Sequence, residues 1–317
     1  MSWKQPLYWP IHRLKEALRL YPYTKTQTYE LTYSVTIHAK EEVAPLEALT
    51  LVIPRPPTTK EQQIIDFKLH LPNAQEQRDE PFGNHFFFVR LEPRATRFEI
   101  PVFSCKATIH PYKKGSTPNQ AFSPATIEKE TEHLHPNDPR IQTLAKNIGK
   151  SSSAHETARR IHAHLVRTVK YGEPIDELYS DIDALTRSHV DCGGFDSLFV
   201  SLCLASGIQA RIVSGFFLDR EKNNMHAWAE FQDEKARWIP VDPSTEQLTK
   251  QGRTKKSGRF GFIGSDRLQL SQGCDIPIKW NNKIYSAPLL QHPFILGGTG
   301  SESIRANLNV NIISSQA

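Results

Sequence analysis

The sequence predicts an α+β protein in which an antiparallel β unit precedes a second unit of helices followed by strands. Three observations carry this reading. Residues alternate apolar and polar with a period of two between Thr28 and His110. A polar, proline-rich stretch runs from Pro111 to about Arg140. Beyond it the apolar period lengthens to that of a helix twice, and then returns to that of strands. At 317 residues the chain is about twice a typical domain of roughly 150 residues, which leaves room for two cores.

In the first unit, Tyr29, Leu31, Tyr33, Val35 and Ile37 alternate with polar residues, as on a strand with one buried face. Further strands are expected over Leu49 to Pro54, Ile64 to Leu71, His85 to Leu91 and Phe98 to Phe103. The turn-forming runs PRPP, LPNA and PFGN separate them. In the second unit, Ser153 and Glu156 form a capping box ahead of a helix with Ala158, Ile161, Leu165 and Val169 on one stripe. A second helix spans Cys192 to Ser206, with Phe195, Leu198, Phe199 and Leu202 inward and Gly207 after its end. Strands follow at Ala210 to Phe217, Met225 to Phe231 and Arg237 to Val241, then at Ile276 to Ile284 and Leu308 to Ile313. The boundaries read as an N-terminal extension (1–27), a β-rich domain (28–110), a linker (111–150), a core (151–250) and a C-terminal extension whose strands complete the core (251–317).

Composition narrows the function classes. Thirty-nine basic against 34 acidic residues leave a formal charge of +5, too mild an excess over this length to imply a nucleic-acid partner. The basic run Lys250 to Arg259 reads as a solvated loop. The N-terminus lacks the apolar core of a signal peptide, and no run of about 18 apolar residues could span a bilayer. A cytoplasmic protein with no membrane partner is therefore expected. Cys105, Cys192, Cys203 and Cys274 show no paired spacing, so neither a disulfide framework nor a zinc ribbon is expected.

One cysteine stands apart. In His189-Val-Asp-Cys-Gly-Gly-Phe-Asp196, Cys192 opens a helix, where unpaired amides and the helix dipole favour a thiolate. Gly193 and Gly194 weaken a helix, which makes sense if the backbone must approach a ligand closely. Downstream, His226, Trp228 and Glu230 share one face of a strand, and Trp238, Pro240 and Asp242 share one face of the next. With Glu234 at the centre of the turn, His226 stands directly opposite Asp242, so a carboxylate can orient an imidazole. Cys192 then supplies a nucleophile for that base. Cys105, Cys203 and Cys274 read as packing residues. The same holds, two to one, for Trp228 and Trp238.

Metal readings are poor. His226 and Glu230 are about 13 Å apart along a strand. Cys192 and Cys203 are about 16 Å apart along a helix, which rules out a zinc site shared with His226. His155, His162 and His164 read as solvated helix residues. Asp181 and Asp183 lack the glycine and closing glutamate of a calcium loop.

The segments HVDCGGFDSLFVSLCLASGIQARIVSGF, MHAWAEF and RWIPVDP together resemble the core of the transglutaminase-like superfamily, a papain-related group of cysteine enzymes. The resemblance covers about Ala154 to Ser244. It implies a papain-like α+β fold and a catalytic triad of Cys192, His226 and Asp242. The β-rich unit resembles, more loosely, the domain ahead of this core in bacterial members, and Phe260 to Ile276 resembles a segment found after it. Val190 departs from the glycine that many members have two residues before the nucleophile. The implied function is a cysteine-dependent enzyme of amide or peptide bonds. It would be a protease or amidase, or else a transamidase, acting on a protein or peptide substrate through a thioester and needing no cofactor. Hydrolysis is the favoured outcome, and Tyr171 is a candidate second oxyanion donor. The rival reading is a transglutaminase-like scaffold that has lost activity.

Overall fold

The computed structural model describes residues 5–39, 49–91, 97–112, 130–218, 225–296 and 304–313. A helix, α1 (Gln5–Ala17), precedes the first strand. The β unit is a sandwich. One sheet has the order β14-β1-β6-β3, formed by Ile304–Ile313, Gln27–Ala39, Arg97–Ile109 and Gln62–Leu69. The other has the order β13-β2-β5-β4, formed by Phe294–Leu296, Leu49–Pro54, His85–Leu91 and Gln75–Arg78. Leu31, Tyr33, Val35 and Phe103 of the first sheet share one buried cluster with Leu51, Ile53, Phe87 and Val89 of the second. Alternation produces this arrangement directly, because every second side chain of each strand enters the shared core. Pro101, which has no amide to donate, lies in β6 where the pairing with β1 shifts between Tyr33 and Ser34.

Two boundaries differ from the sequence expectation. The C-terminal segment does not only complete the core: β14 pairs with β1, and β13 pairs with β2. Among the described residues of this segment, only β10 (Arg267–Gln272) joins the core sheet. A strand's own sequence specifies its buried face but not which open sheet edge it meets, so the return to the sandwich left no local signal. The presumed linker ends in a helix, α2 (Pro139–Ile148), with Asp138 as N-cap and Pro139 in its first turn. Most of the proline-rich stretch, 113–129, lies outside the described residues.

The core unit packs α5 (Cys192–Ala205) and α3 (Ala154–Thr168) against the sheet β10-β7-β8-β9, with α2 and α4 (Asp181–Thr186) on the far side of α5; β7 is Ala210–Phe217, β8 Met225–Gln232 and β9 Trp238–Val241. From Gly193 to Cys203 every α5 residue is buried. Ala227, Ala229 and Phe231 of β8 pack towards the helices. Trp228 packs on the opposite face with Val213 and Ile263. The β11 and β12 hairpin (Ile276–Trp280, Lys283–Ala287) covers the outer side of the second sandwich sheet through Ile276, Ile278 and Ala287.

The β8–β9 turn departs from the expected register. Glu230 pairs with Pro240 and Ala229 with Val241, which moves the turn centre one residue beyond Glu234. Asp233 is the reason. Its amide donates to the Arg237 carbonyl, and its Oδ1 accepts the Lys235 and Arg237 amides at 2.9 and 3.0 Å. Ala236 takes the left-handed conformation, with φ 53°, to close the loop. The two-position change preserves side-chain parity, so His226 and Asp242 still share a face.

Gly215 permits a close strand crossing. A Cβ there would stand 1.8 Å from the Leu268 carbonyl oxygen of β10. Gly215→Ala is therefore expected to destabilise the protein by about 3 kcal/mol through overpacking. A thermal melt of the variant checks this, and an unchanged Tm would contradict the crossing.

Candidate active site

Cys192 occupies the first position of α5 and is half-buried. Asp191 caps the helix: its Oδ1 accepts the Gly194 amide and its Oδ2 the Ile175 amide, both at 3.2 Å. The Ala227 amide, directly after His226, is near enough to the Cys192 side chain to favour its thiolate. The sulfur thus faces the start of β8. Burial pushes the thiol up, the Asp191 carboxylate adds to this, and the Ala227 amide opposes it. Burial and this carboxylate thus oppose the thiolate that the helix dipole favours. The capping carboxylate of Asp191 sits on the same positive helix end and offsets it.

The glycines after Cys192 also have a packing explanation. A Cβ at Gly194 would fall 2.6 Å from the Val190 Cβ, and one at Gly193 would fall 2.8 Å from Leu178 Cδ1. They let the preceding loop close against α5. Val190, with its isolated bridge to Tyr171, is part of that closure.

His226 is buried on β8 and is held from three sides. Its Nε2 lies 2.7 Å from Asp242 Oδ2 and 3.4 Å from Thr245 Oγ1. Its ring stacks on Phe217 at 4.1 Å. Gln291 Nε2 donates to the His226 carbonyl at 2.8 Å and to the Gly215 carbonyl at 3.2 Å, which fixes the strand beneath the ring. Burial lowers the imidazole, Asp242 pulls it up and Arg267 pulls it down, with a net lowering.

Asp242 is fully buried and caps α6 (Pro243–Lys250). Its Oδ1 accepts the Thr245 amide at 2.8 Å and the Ser244 hydroxyl at 3.0 Å. Its Oδ2 faces His226 and also takes Arg267 Nη1 at 3.0 Å. Burial alone would raise this carboxyl. His226, Arg267 and the Thr245 amide outweigh it and hold Asp242 well below the usual carboxylate range.

Arg267 is the residue that sequence reasoning missed. It is 3% exposed, donates from Nη2 to the Ser257 carbonyl, and lies over both Phe217 and Trp228 at 4.7 and 5.1 Å from the ring centroids. Its only signal was its place in the Phe260 to Ile276 segment. The basic run before it is not a free solvated loop. Lys250 pairs with Glu246 at 2.7 Å, Lys256 lies over Phe217, and Arg259 reaches Glu16 at 3.0 Å.

The remaining candidates take structural places. Arg211 pairs with Glu230 at 2.6 Å and stacks over half-buried Trp238 at 3.9 Å, which accounts for both residues. His162, expected in solvent, is buried, with Nε2 3.5 Å from Glu246 and its ring against Phe260. Packing of α3 against α6 and Phe260 buries that position, and helical periodicity does not distinguish it from a solvated one. Asp181 is fully buried and accepts the His135 amide. Tyr171 is half-buried near Cys192: burial and then the Cys192 charge push its phenol up. Cys105, Cys203 and Cys274 are buried.

Among the described residues, Glu132, His133 and Asp275 bring potential metal-ligand atoms within 4.8 Å of one another. The Asp275 carboxylate is already engaged by the His133 amide at 3.1 Å and its Nδ1 at 2.5 Å, which ties the loop to the hairpin.

Asp196 lies one turn beyond Cys192, fully buried, and neither of its oxygens has a hydrogen-bond partner. Burial, followed by Asp242 and Asp191, pushes its carboxyl far up. The folded chain therefore holds a proton that the unfolded chain releases above about pH 4. Its stability contribution is full below that pH and falls as pH rises towards the folded value, by up to about 1.4 kcal/mol per pH unit. Asp196→Asn should lose this slope. Melts of both proteins from pH 4 to 8 should show a Tm difference that widens with pH, and a constant difference would contradict a protonated Asp196.

Residues 142–243 match the family model described as the transglutaminase-like superfamily. No curated protein matches the sequence. Among solved structures, a candidate cysteine protease from Cytophaga hutchinsonii is 15% identical over 92% of each chain, with a TM-score of 0.62. At that identity the likeness is one of fold, and it extends through the β sandwich as well as the core. The periplasmic domain of TgpA from Pseudomonas aeruginosa is 15% identical over 70% of this chain and 92% of its own, with a TM-score of 0.38.

Proposed function

We propose that the transglutaminase-like core is a cysteine-dependent enzyme of amide or peptide bonds, with Cys192 as nucleophile, His226 as general base and acid, and Asp242 as the group that orients the imidazole. The observation that carries this is the 2.7 Å contact between His226 Nε2 and a fully buried Asp242, on the strand whose next amide acts on the Cys192 thiol. With Nε2 committed to Asp242, the Nδ1 nitrogen takes the thiol proton as sulfur attacks the carbonyl carbon. The Cys192 amide, unpaired at the first position of α5, is placed to donate to the developing oxyanion. His226 returns the proton to the departing amine, the C–N bond breaks, and a thioester on Cys192 remains for water to hydrolyse. Protein or peptide carboxamides are the substrate class, and a cytoplasmic location is retained as part of the proposal.

The raised thiol and lowered imidazole define how the site starts. A neutral thiol beside a neutral imidazole reacts by proton transfer during attack, without a preformed ion pair. The same raised thiol is what a transglutaminase-like scaffold without activity would show, and labelling separates the two. Iodoacetamide is expected to label Cys192 ahead of the three buried cysteines, and His226→Ala should slow that labelling by about tenfold or more. Peptide mapping by mass spectrometry reads both results. Equal labelling with and without His226 would favour the scaffold.

A further inference from the structure

Helix α1 is packed on the molecule with its polar side. Ile11, Leu14 and Leu18 recur at the spacing of an amphipathic stripe, yet they are 50%, 60% and 60% exposed, and Leu20 just beyond is 64% exposed. These four are half of the large exposed apolar side chains among the described residues. The buried side of the helix carries His12 and Glu16 instead. His12 is clasped by the Tyr21 and Tyr23 hydroxyls at 3.0 and 3.3 Å, and Glu16 by Arg13 and Arg259. The helix is anchored, so the leucines face outward through packing rather than through fraying.

The surroundings of this ridge are basic. Lys15 and Arg19 are exposed beside it. A cavity of about 250 Å³ alongside is lined by Arg13, Arg19 and Arg259, with Glu16 as its only carboxylate. Arg19 itself ends the helix in the left-handed conformation, with φ 55°, where glycine is usual.

We propose that α1 lies on an anionic lipid surface, with Ile11, Leu14, Leu18 and Leu20 entering the headgroup and acyl boundary and the arginine-lined cavity taking a lipid phosphate. A ridge of aliphatic side chains is convex. A deformable bilayer accepts such a shape, whereas a peptide partner would need a groove that the ridge does not offer. Two copies of a ridge flanked by arginine and lysine would repel each other. This is binding at the interface, distinct from crossing the bilayer, for which no helix among the described residues is long and apolar enough, and it does not depend on the activity of Cys192.

The test is co-sedimentation of the full chain with vesicles. Binding is expected to equimolar phosphatidylcholine and phosphatidylglycerol, to weaken by about tenfold or more against phosphatidylcholine alone, and to fall as salt rises. Leu14→Glu with Leu18→Glu should reduce binding by about tenfold or more while leaving Tm unchanged, because both positions are exposed. Arg13→Gln with Arg19→Gln should reduce binding to the anionic vesicles alone. Absence of sedimentation overturns the proposal, as does undiminished binding by the double glutamate variant. A wild-type dimer in solution that this variant converts to monomers, without vesicle binding, would overturn it in favour of an interface between copies.

Discussion

Cys192→Ala is expected to lower kcat on a carboxamide substrate by about 10⁶-fold and to leave the fold in place. Removing a covalent nucleophile eliminates the acyl-enzyme route, and what remains comes from binding and the oxyanion donors. The fold should survive because Cys192 contributes little to packing. It is half-buried at the first position of α5, and the capping bonds of Asp191 to Gly194 and Ile175 involve no atom of its side chain. Losing a thiol that crowds Asp191 and Asp196 leaves stability within about 1 kcal/mol of wild type. Trapping of the acyl group with wild-type protein, release by hydroxylamine and mass spectrometry would identify the substrate for this measurement. Residual turnover within about tenfold of wild type would remove Cys192 from the mechanism.

Much of this site was legible because its signals are local. A helix-opening cysteine, a histidine on an alternating strand and an aspartate after a short strand can each be placed from a few neighbours. Parity alone put His226 and Asp242 on one face, and it survived the error in turn register because the true loop shifts the pairing by two positions. Most strands of the sandwich were legible for the same reason. β2 and β5 run over the expected residues, Leu49–Pro54 and His85–Leu91.

The rest depends on contacts distant in sequence. Arg267 acts on Asp242, 25 positions away, across a strand crossing that exists because Gly215 has no side chain. Nothing near Arg267 in sequence announces a buried ion pair. The partners of β13 and β14 are more than 200 residues earlier, and strand sequence does not encode which edge is open. Likewise, the helix dipole at Cys192 was visible but its offset was not, because the Asp191 side chain's hold on Gly194 and Ile175 comes from the folded loop.

Arg267→Met should produce the other large effect, on stability and on the pH dependence of Cys192 together. Asp242 is fully buried and shares Oδ2 between Arg267 and His226. Removing the guanidinium leaves a buried carboxylate with one partner fewer, a loss of about 3–5 kcal/mol. The sign with pH follows from the depressed Asp242. Its stability contribution is present above the unfolded value near pH 4 and is lost as pH falls towards the folded value. Without Arg267 that depression is smaller, so acid unfolding should begin at a higher pH than in wild type. The charged groups acting on His226 are Asp242, Asp266, Asp191 and Arg267. Arg267 is the cation among them. Its loss raises His226 and favours the imidazolium paired with a thiolate, so alkylation of Cys192 should extend to lower pH. Arg267→Lys keeps the charge without the planar fork that bonds Asp242 and Ser257 at once, so it should restore the wild-type alkylation profile while recovering only part of the stability. If both variants fold and alkylate with the wild-type pH profile, the ion pair holds α6 and β10 together and does not set the protonation of His226.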